Sequence, residues 1–240
     1  MDKSEYFKMD QLQKSNWWYL GRRVIVTRLW QKYFTQKPGK VLDVGCGTGE
    51  GKSIVDNMLD GIDESEEALN IAKQKGYAIL TKGSADNLPF PDNSYSGILM
   101  LDVLEHISDD VRALSECVRV LEAKGTMLIT VPAYQWLWSG HDEVFGHERR
   151  YTRKDLVEKI KNTGFEIIFS SYYVAFLFPV IVLYRAIERT FINRRTSHFF
   201  YIPKFLNNLL LFVLKTESIL LEKNIKFLFG SSIVVVARKS

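Results

Sequence analysis

Val41-Leu42-Asp43-Val44-Gly45-Cys46-Gly47-Thr48-Gly49 decides how the rest of this chain is read. Lys40 to Gly45 is a short buried strand, introduced by the turn pair Pro38-Gly39. Three glycines at alternate positions follow it, and only glycine lets the backbone pass close to a ligand there in conformations closed to other residues. A helix opening behind such a turn would offer free N–H groups. Outward from this point, apolar β-branched runs alternate with helical patterns: strands at Met58 to Asp63, Tyr77 to Thr81, Gly97 to Asp102, Gly125 to Val131 and Phe165 to Tyr172. Between them, Ser65 to Lys75 reads as helical. Asp109 to Leu121 reads as an amphipathic helix with Val111, Leu114, Val118 and Leu121 on one face. Thr152 N-caps a further helix that stops at Gly164. The alternation predicts an α/β fold, a doubly wound, mostly parallel seven-stranded Rossmann-like sheet, with ligands at the carboxyl ends of its strands. Ser232 to Arg238 supplies the last strand, after a helical insertion.

Composition supports one elaborated domain. The 240 residues are 46% hydrophobic and 25% charged, which excludes wholesale disorder and fibrous structure. Cys46 and Cys117 lie in no metal-ligand spacing and fit a reducing compartment. The polar start MDKSEYFKMDQLQKS lacks the apolar core of a signal peptide, so a cytoplasmic protein is expected. Thirty-two basic against 28 acidic residues leave a net charge of +4, too mild to announce a nucleic-acid binder. Three segments are expected: an aromatic, basic N-terminal helical lid at 1–37, a core at 38–173 and 231–240, and an apolar, basic insertion at 174–230. Ile167 to Tyr184 is uncharged for 18 residues, the lower limit for a membrane span, but its first half reads as a strand. Leu206, Leu209, Leu210 and Val213 form an apolar stripe that suits either a packed cap or a contact with the inner face of a membrane.

Acids stand at successive strand ends. The glycine spacing G-x-G-x-G, with Glu50 in place of a third dinucleotide glycine, and Asp43 at the strand tip disfavour a pyrophosphate. They suit a ligand with a cationic amino-acid end. Asp63, 20 residues beyond Asp43, can accept from both hydroxyls of a ribose. Within Gly83-Ser84-Ala85-Asp86-Asn87, a carboxylate can meet an adenine amino group while small residues pass the ring.

Together, VLDVGCGTGE, GIDESEEAL, GSADNLPFPDNSYSGILMLDVLEHI and RVLEAKGTMLITVP resemble the class I S-adenosylmethionine-dependent methyltransferases, in the branch acting mostly on small molecules. The resemblance covers residues 38 to about 170. Ser96 and Ala123-Lys124-Gly125 depart from the family pattern, both off the glycine loop. It implies S-adenosyl-L-methionine as cofactor, with Asp43, Gly45, Gly47 and Asp63 on its methionine and ribose parts. Ala85 and Asp86 would flank the adenine, and Leu101 would lie beside the cofactor at the fourth strand. Trp17-Trp18-Tyr19-Leu20-Gly21-Arg22-Arg23 is similar to the opening of one methyltransferase group, which implies a lid with Tyr19 over the cofactor and Arg22 facing its carboxylate.

The loop after the fifth strand, Pro132 to Tyr151, should shape the acceptor pocket in such a fold. Tyr134, Trp136 and Trp138 would give it aromatic walls. His141, and after it His147, are candidate bases near neutral pH. Asp102, Glu105 and His106 share a helical face at i, i+3, i+4. A similar set holds a divalent metal in quinone-pathway O-methyltransferases, although Glu-His here is more commonly structural, so no metal is expected. The reading is an enzyme methylating, by expectation on oxygen, a small-molecule or lipid-linked acceptor. A nicotinamide oxidoreductase and a non-catalytic adaptor of the same fold are the alternatives. The absence of an Asn/Asp-Pro-Pro-aromatic motif and of a Pro-Cys nucleophile argues against DNA methylation, and the leucine-flanked basic residues against nucleic acid generally.

Overall fold

The computed structural model describes residues 3–34, 39–56, 58–191 and 202–240. Pro38 of the predicted turn, the expected boundary at 37–38 and Arg194 and Arg195 of the insertion lie outside them.

The strands are β1 (Val41–Val44), β2 (Leu59–Asp63), β3 (Leu80–Lys82), β4 (Tyr95–Leu101), β5 (Leu121–Pro132), β6 (Phe165–Tyr173) and β7 (Ser232–Lys239). They form one sheet in the order β3-β2-β1-β4-β5-β7-β6. Only β7 runs against its neighbours, pairing antiparallel with both β5 and β6. The chain order reverses between β1 and β4, which pair in parallel from Val41–Gly97 to Val44–Met100. A crevice opens at such a switch point, outside the carboxyl ends of the strands. The predicted strands are all present, with β3 starting three residues later than read. Pairing nevertheless begins near the expected start, with Ala78 N–H donating to Leu59 O at 2.8 Å.

The helices are α1 (Lys3–Ser15), α2 (Trp17–Tyr33), α3 (Glu66–Ala72), α4 (Asp110–Val120), α5 (Gly140–Phe145), α6 (Arg153–Asn162), α7 (Phe178–Phe191) and α8 (Lys204–Glu222). Thr152 caps α6 as expected, and Asn16, Ser65 and Asp109 likewise accept a backbone N–H at the start of α2, α3 and α4. Leu114 of α4 and Leu156 and Ile160 of α6 bury against one face of the sheet. Ile25, Val26 and Leu29 of α2, with Leu214 and Leu221 of α8, cover the other.

Three expectations are corrected. Among the described residues no α-helix follows the glycine turn, which leads into one 3₁₀ turn at Glu50–Ser53. The helix that covers this face is α2, from the N-terminal segment read as a lid, so that segment belongs half to the core. The buried stripe of α4 is Ala113, Leu114, Cys117 and Val120, while Val111 is 46% exposed. The stripe turns because Asp110 faces inward, where Tyr151 Oη donates to it at 2.9 Å and Lys159 pairs with it at 2.8 Å.

Candidate active site

A cleft of about 1130 Å³ lies over the carboxyl ends of β1, β2 and β4. Its floor is the glycine turn. Gly45, Gly47 and Gly49 have φ of 66°, 53° and 92°, a region side chains disfavour. A Cβ on Gly45 would also overlap the Val103 side chain. The glycines therefore present open backbone on either side of Cys46, and Asp43 and Asp63 line the cleft beside them.

Asp43 is buried, and Tyr77 Oη donates to its Oδ2 at 2.5 Å. Burial pushes its carboxyl up to about 7, against the lowering effect of that bond. Asp63 accepts from Gly47 N–H at 2.8 Å and from Ser65 N–H at 2.9 Å, which ties the β2 tip to the turn. Burial raises its pKa too. Ala85, Asp86 and Leu101 line the same cleft, as do Tyr19 and Arg22 from the first turns of α2. The nine residues expected to hold the cofactor are thus brought together.

Arg22 has a different environment from the one expected. It is buried, with Nη1 donating to Asp102 and Nη2 to Glu50, and its guanidinium lies 4.9 Å from the Trp18 ring centroid. Glu50 and Asp102 hold its pKa up against the opposing effect of burial. The other cleft arginines are paired as well: Arg150 with Asp142 at 2.7 Å and Arg185 with Glu188 at 2.6 Å. No lysine lines the cleft among the described residues.

Opposite the glycine turn the wall carries titratable groups. His141 and His147 both line the cleft, their ring centroids 6.3 Å apart. Burial pushes the His141 pKa down to about 4, so its ring is neutral at pH 7. His147 Nδ1 lies 2.8 Å from Asp142 Oδ1. Asp142 is itself buried and fixed by Arg150 and by the Ser139 backbone N–H at the start of α5.

Asp102, Glu105 and His106 do not share a helical face. Asp102 sits in a turn with φ of 55°, and only Leu104–His106 form a 3₁₀ turn. Its carboxylate faces Arg22 and accepts from Thr130 Oγ1 at 3.2 Å. The residues that converge are Glu105, His106 and His147, with one donor atom from each within 4.8 Å of the others. Burial, and after it the charge of Asp102, pushes the Glu105 carboxyl well above the ordinary carboxylate range. His147, expected only as a candidate base, could not have been joined to this group by sequence spacing, since it is 41 residues from His106.

The aromatic walls are also corrected. Tyr134, Trp136 and Trp138 are not among the cleft-lining residues. Tyr134 has φ of 58°, and its ring stacks on Tyr172 at 5.1 Å and on Trp136 at 5.4 Å. Phe178 at the start of α7 lies 5.6 Å from Tyr134 and 5.7 Å from Phe229. These rings join the apolar surface of the insertion. Met9 and Gln13 of α1 line the cleft instead, and nothing in their sequence pattern announced it.

Comparison with known proteins agrees with this geometry. The family described as "Methyltransferase domain" matches residues 42–129. A "Probable S-adenosylmethionine-dependent methyltransferase" of Mycolicibacterium smegmatis is 27% identical over 65% of this chain and 62% of its own length. The chain therefore spans less than two thirds of that relative. A demethylmenaquinone methyltransferase of Thermotoga maritima is 31% identical, over 55% of this chain and 72% of the relative. Among solved structures, a SAM-dependent methyltransferase from Thermotoga maritima shares the fold with a TM-score of 0.59 at 17% identity, covering 98% of both chains. With its sheet order, its glycine turn and its acids at two strand tips, the chain belongs to the S-adenosylmethionine-dependent methyltransferases.

Proposed function

We propose that this protein transfers a methyl group from S-adenosylmethionine to an oxygen of a small-molecule or lipid-linked acceptor. The observation that carries the reading is the pair of carboxylates, Asp43 and Asp63, beside a glycine-rich turn at the switch point of the sheet. The donor set fits this cofactor. An acid at the β1 tip suits an ammonium group, an acid at the β2 tip suits a ribose diol, and Ala85, Asp86 and Leu101 suit an adenine. The cleft arginines are all engaged by carboxylates, which leaves a poor site for a pyrophosphate and disfavours the nicotinamide alternative.

When bound, S-adenosylmethionine supplies a methyl group already activated on a positively charged sulfur. What remains for the chain is alignment, exclusion of water and removal of a proton. Positioning by the Asp43 and Asp63 carboxylates and by the α2 end of the cleft can contribute about 7–11 kcal/mol. His141, neutral at pH 7, takes the acceptor proton, although burial makes it a weaker base than an ordinary imidazole. Arg22 acts from behind the site, holding Glu50 and Asp102 in place.

Support for an apolar acceptor comes from α7 and α8. Leu214, Glu217, Ser218 and Leu221 bury one face of α8. Phe205, Leu209, Phe212 and Ile219 recur at helical spacing on the opposite face, with Phe205 81% and Phe212 65% exposed. Val180, 66% exposed, Leu183 and Ile187 form a similar stripe on α7. Lys204, Lys215 and Lys226 accompany them, exposed, and suit an anionic lipid surface. No helix among the described residues is long and apolar enough to cross a membrane. The relative named for demethylmenaquinone adds support for a small-molecule acceptor.

Calorimetry with S-adenosylmethionine and with NAD separates the two cofactor readings, and binding of NAD alone would overturn this one. Incubating lipid extracts with methyl-labelled cofactor should yield a labelled, alkali-sensitive or ether-linked product in the organic phase. Flotation with anionic vesicles should carry the wild type and leave the double variant Phe205→Ser/Phe212→Ser behind. Flotation of neither protein would remove the membrane contact from the proposal.

A further inference from the structure

We infer that Glu105, His106 and His147 form a binding site for one divalent transition-metal ion on the acceptor side of the cleft. Glu105 and His106 come from the 3₁₀ turn after β4, and His147 comes from the chain just beyond α5. One donor atom of each lies within 4.8 Å of the other two, and all three residues line the cleft.

The hydrogen bonds around the group settle what it offers. His147 Nδ1 lies 2.8 Å from Asp142 Oδ1, and His106 Nδ1 lies 3.3 Å from the Gly146 carbonyl oxygen. Both partners are acceptors, so each Nδ1 carries the proton and each Nε2 keeps its lone pair. Glu105 is 0% exposed, and among the described residues neither of its carboxylate oxygens has a hydrogen-bond partner. A buried carboxyl left in this way is costly to ionise unless a positive charge joins it. A ring nitrogen of each imidazole lies within 4.8 Å of it, and a cation held among the three would satisfy the carboxylate.

Donor chemistry narrows the ion. Two imidazoles and one carboxylate suit Zn²⁺ and its first-row neighbours Mn²⁺, Fe²⁺, Co²⁺ and Ni²⁺, whereas Mg²⁺ and Ca²⁺ prefer all-oxygen sites. Three protein ligands leave coordination positions open, and here they open on the cleft. The Asp142–His147 bond, backed by Arg150, is the outer support that orients a metal-binding histidine. The role of the ion rests on the methyl-transfer reading: bound to an acceptor hydroxyl, it would lower the pKa of that oxygen and leave His141 to take the proton. The site itself does not depend on that reading.

The test is titration of chelator-treated protein with Co²⁺, followed by the visible ligand-field bands, and with Zn²⁺ by calorimetry. One equivalent is expected to bind. Glu105→Gln, His106→Ala and His147→Ala should each weaken binding about 100-fold or more, and His141→Ala should leave it unchanged. S-adenosylmethionine affinity, measured on every preparation, reports whether the cleft is still folded. If the variants at the buried positions do not fold, X-ray absorption of the Zn²⁺-loaded wild type should show two imidazole ligands. Failure of the wild type to bind either ion stoichiometrically, affinity unchanged in all three variants, or a spectrum without imidazole overturns the site. Metal binding without S-adenosylmethionine binding would overturn the cofactor reading and leave this inference standing.

Discussion

Gly21 of α2 and Leu214 of α8 approach so closely that a Cβ on the glycine would lie 2.8 Å from Leu214 Cβ and nearer still to its Cδ1. The glycine within Trp17–Arg23 thus serves helix packing. It lets the insertion clamp the helix whose first turns line the cleft. Asn207 of α8 completes the clamp, accepting from Trp17 N–H at 2.8 Å and donating to Ser15 O at 3.1 Å.

Gly21→Ala sets helix propensity against sterics. Alanine gains about 1 kcal/mol in a helix interior, but overpacking costs about 1–3 kcal/mol. The balance here is set by Leu214, whose backbone-proximal Cβ cannot swing away, so a net loss of about 1–2 kcal/mol is expected. Urea denaturation should show a lower midpoint with an unchanged slope, and a higher midpoint would contradict the packing argument.

Asp63→Ala removes the acceptor assigned to the ribose and also frees the Gly47 and Ser65 N–H groups. S-adenosylmethionine binding should weaken by about 1–3 kcal/mol. Asp63→Asn, which keeps the shape and one acceptor, should lie between the two. Calorimetry reads both, and wild-type affinity in Asp63→Ala would falsify the assignment.

Asp43 links binding to pH. Its folded pKa of about 7 lies above the ordinary aspartate value, so its contribution to stability is full below pH 4 and is lost as pH rises through 7. A cationic ligand group reverses that preference by favouring the ionised carboxylate. Affinity for S-adenosylmethionine should therefore rise between pH 6 and 8, by at most about tenfold per pH unit. Asp43→Asn should flatten both profiles.

Asp142 is a source of acid sensitivity. Although burial opposes it, hydrogen bonds from His147 and Arg150 hold its carboxyl far below the ordinary range. The stability it provides is present above the unfolded value near 4 and disappears as pH falls below it. Asp142→Ala, which strands Arg150, should cost about 3–5 kcal/mol at pH 7 and remove part of the acid transition. Circular dichroism against pH for the two proteins measures it.

Local chemistry by itself determined much of this protein. The run Val41–Gly49 announces a strand, a tight turn and a bare ligand floor because each depends on neighbours a few residues apart. The acids at Asp43 and Asp63 are legible for the same reason: strand ends in a parallel sheet fall on one edge. Thr152 and Gly164 bound α6 through capping, again a local effect. Tertiary structure decided what depends on long-range packing. Arg22 meets Glu50 and Asp102, 28 and 80 residues away, only because α2 replaces the helix missing after β1. His147 takes the place expected of Asp102 because a turn with positive φ directs that carboxylate to Arg22. Tyr134, Trp136 and Trp138 read as pocket walls in sequence, yet the path of the chain after β5 stacks Tyr134 and Trp136 outward toward Phe178. Composition shows which side chains are aromatic or charged; the direction each one faces is set by elements that meet only once the chain is folded.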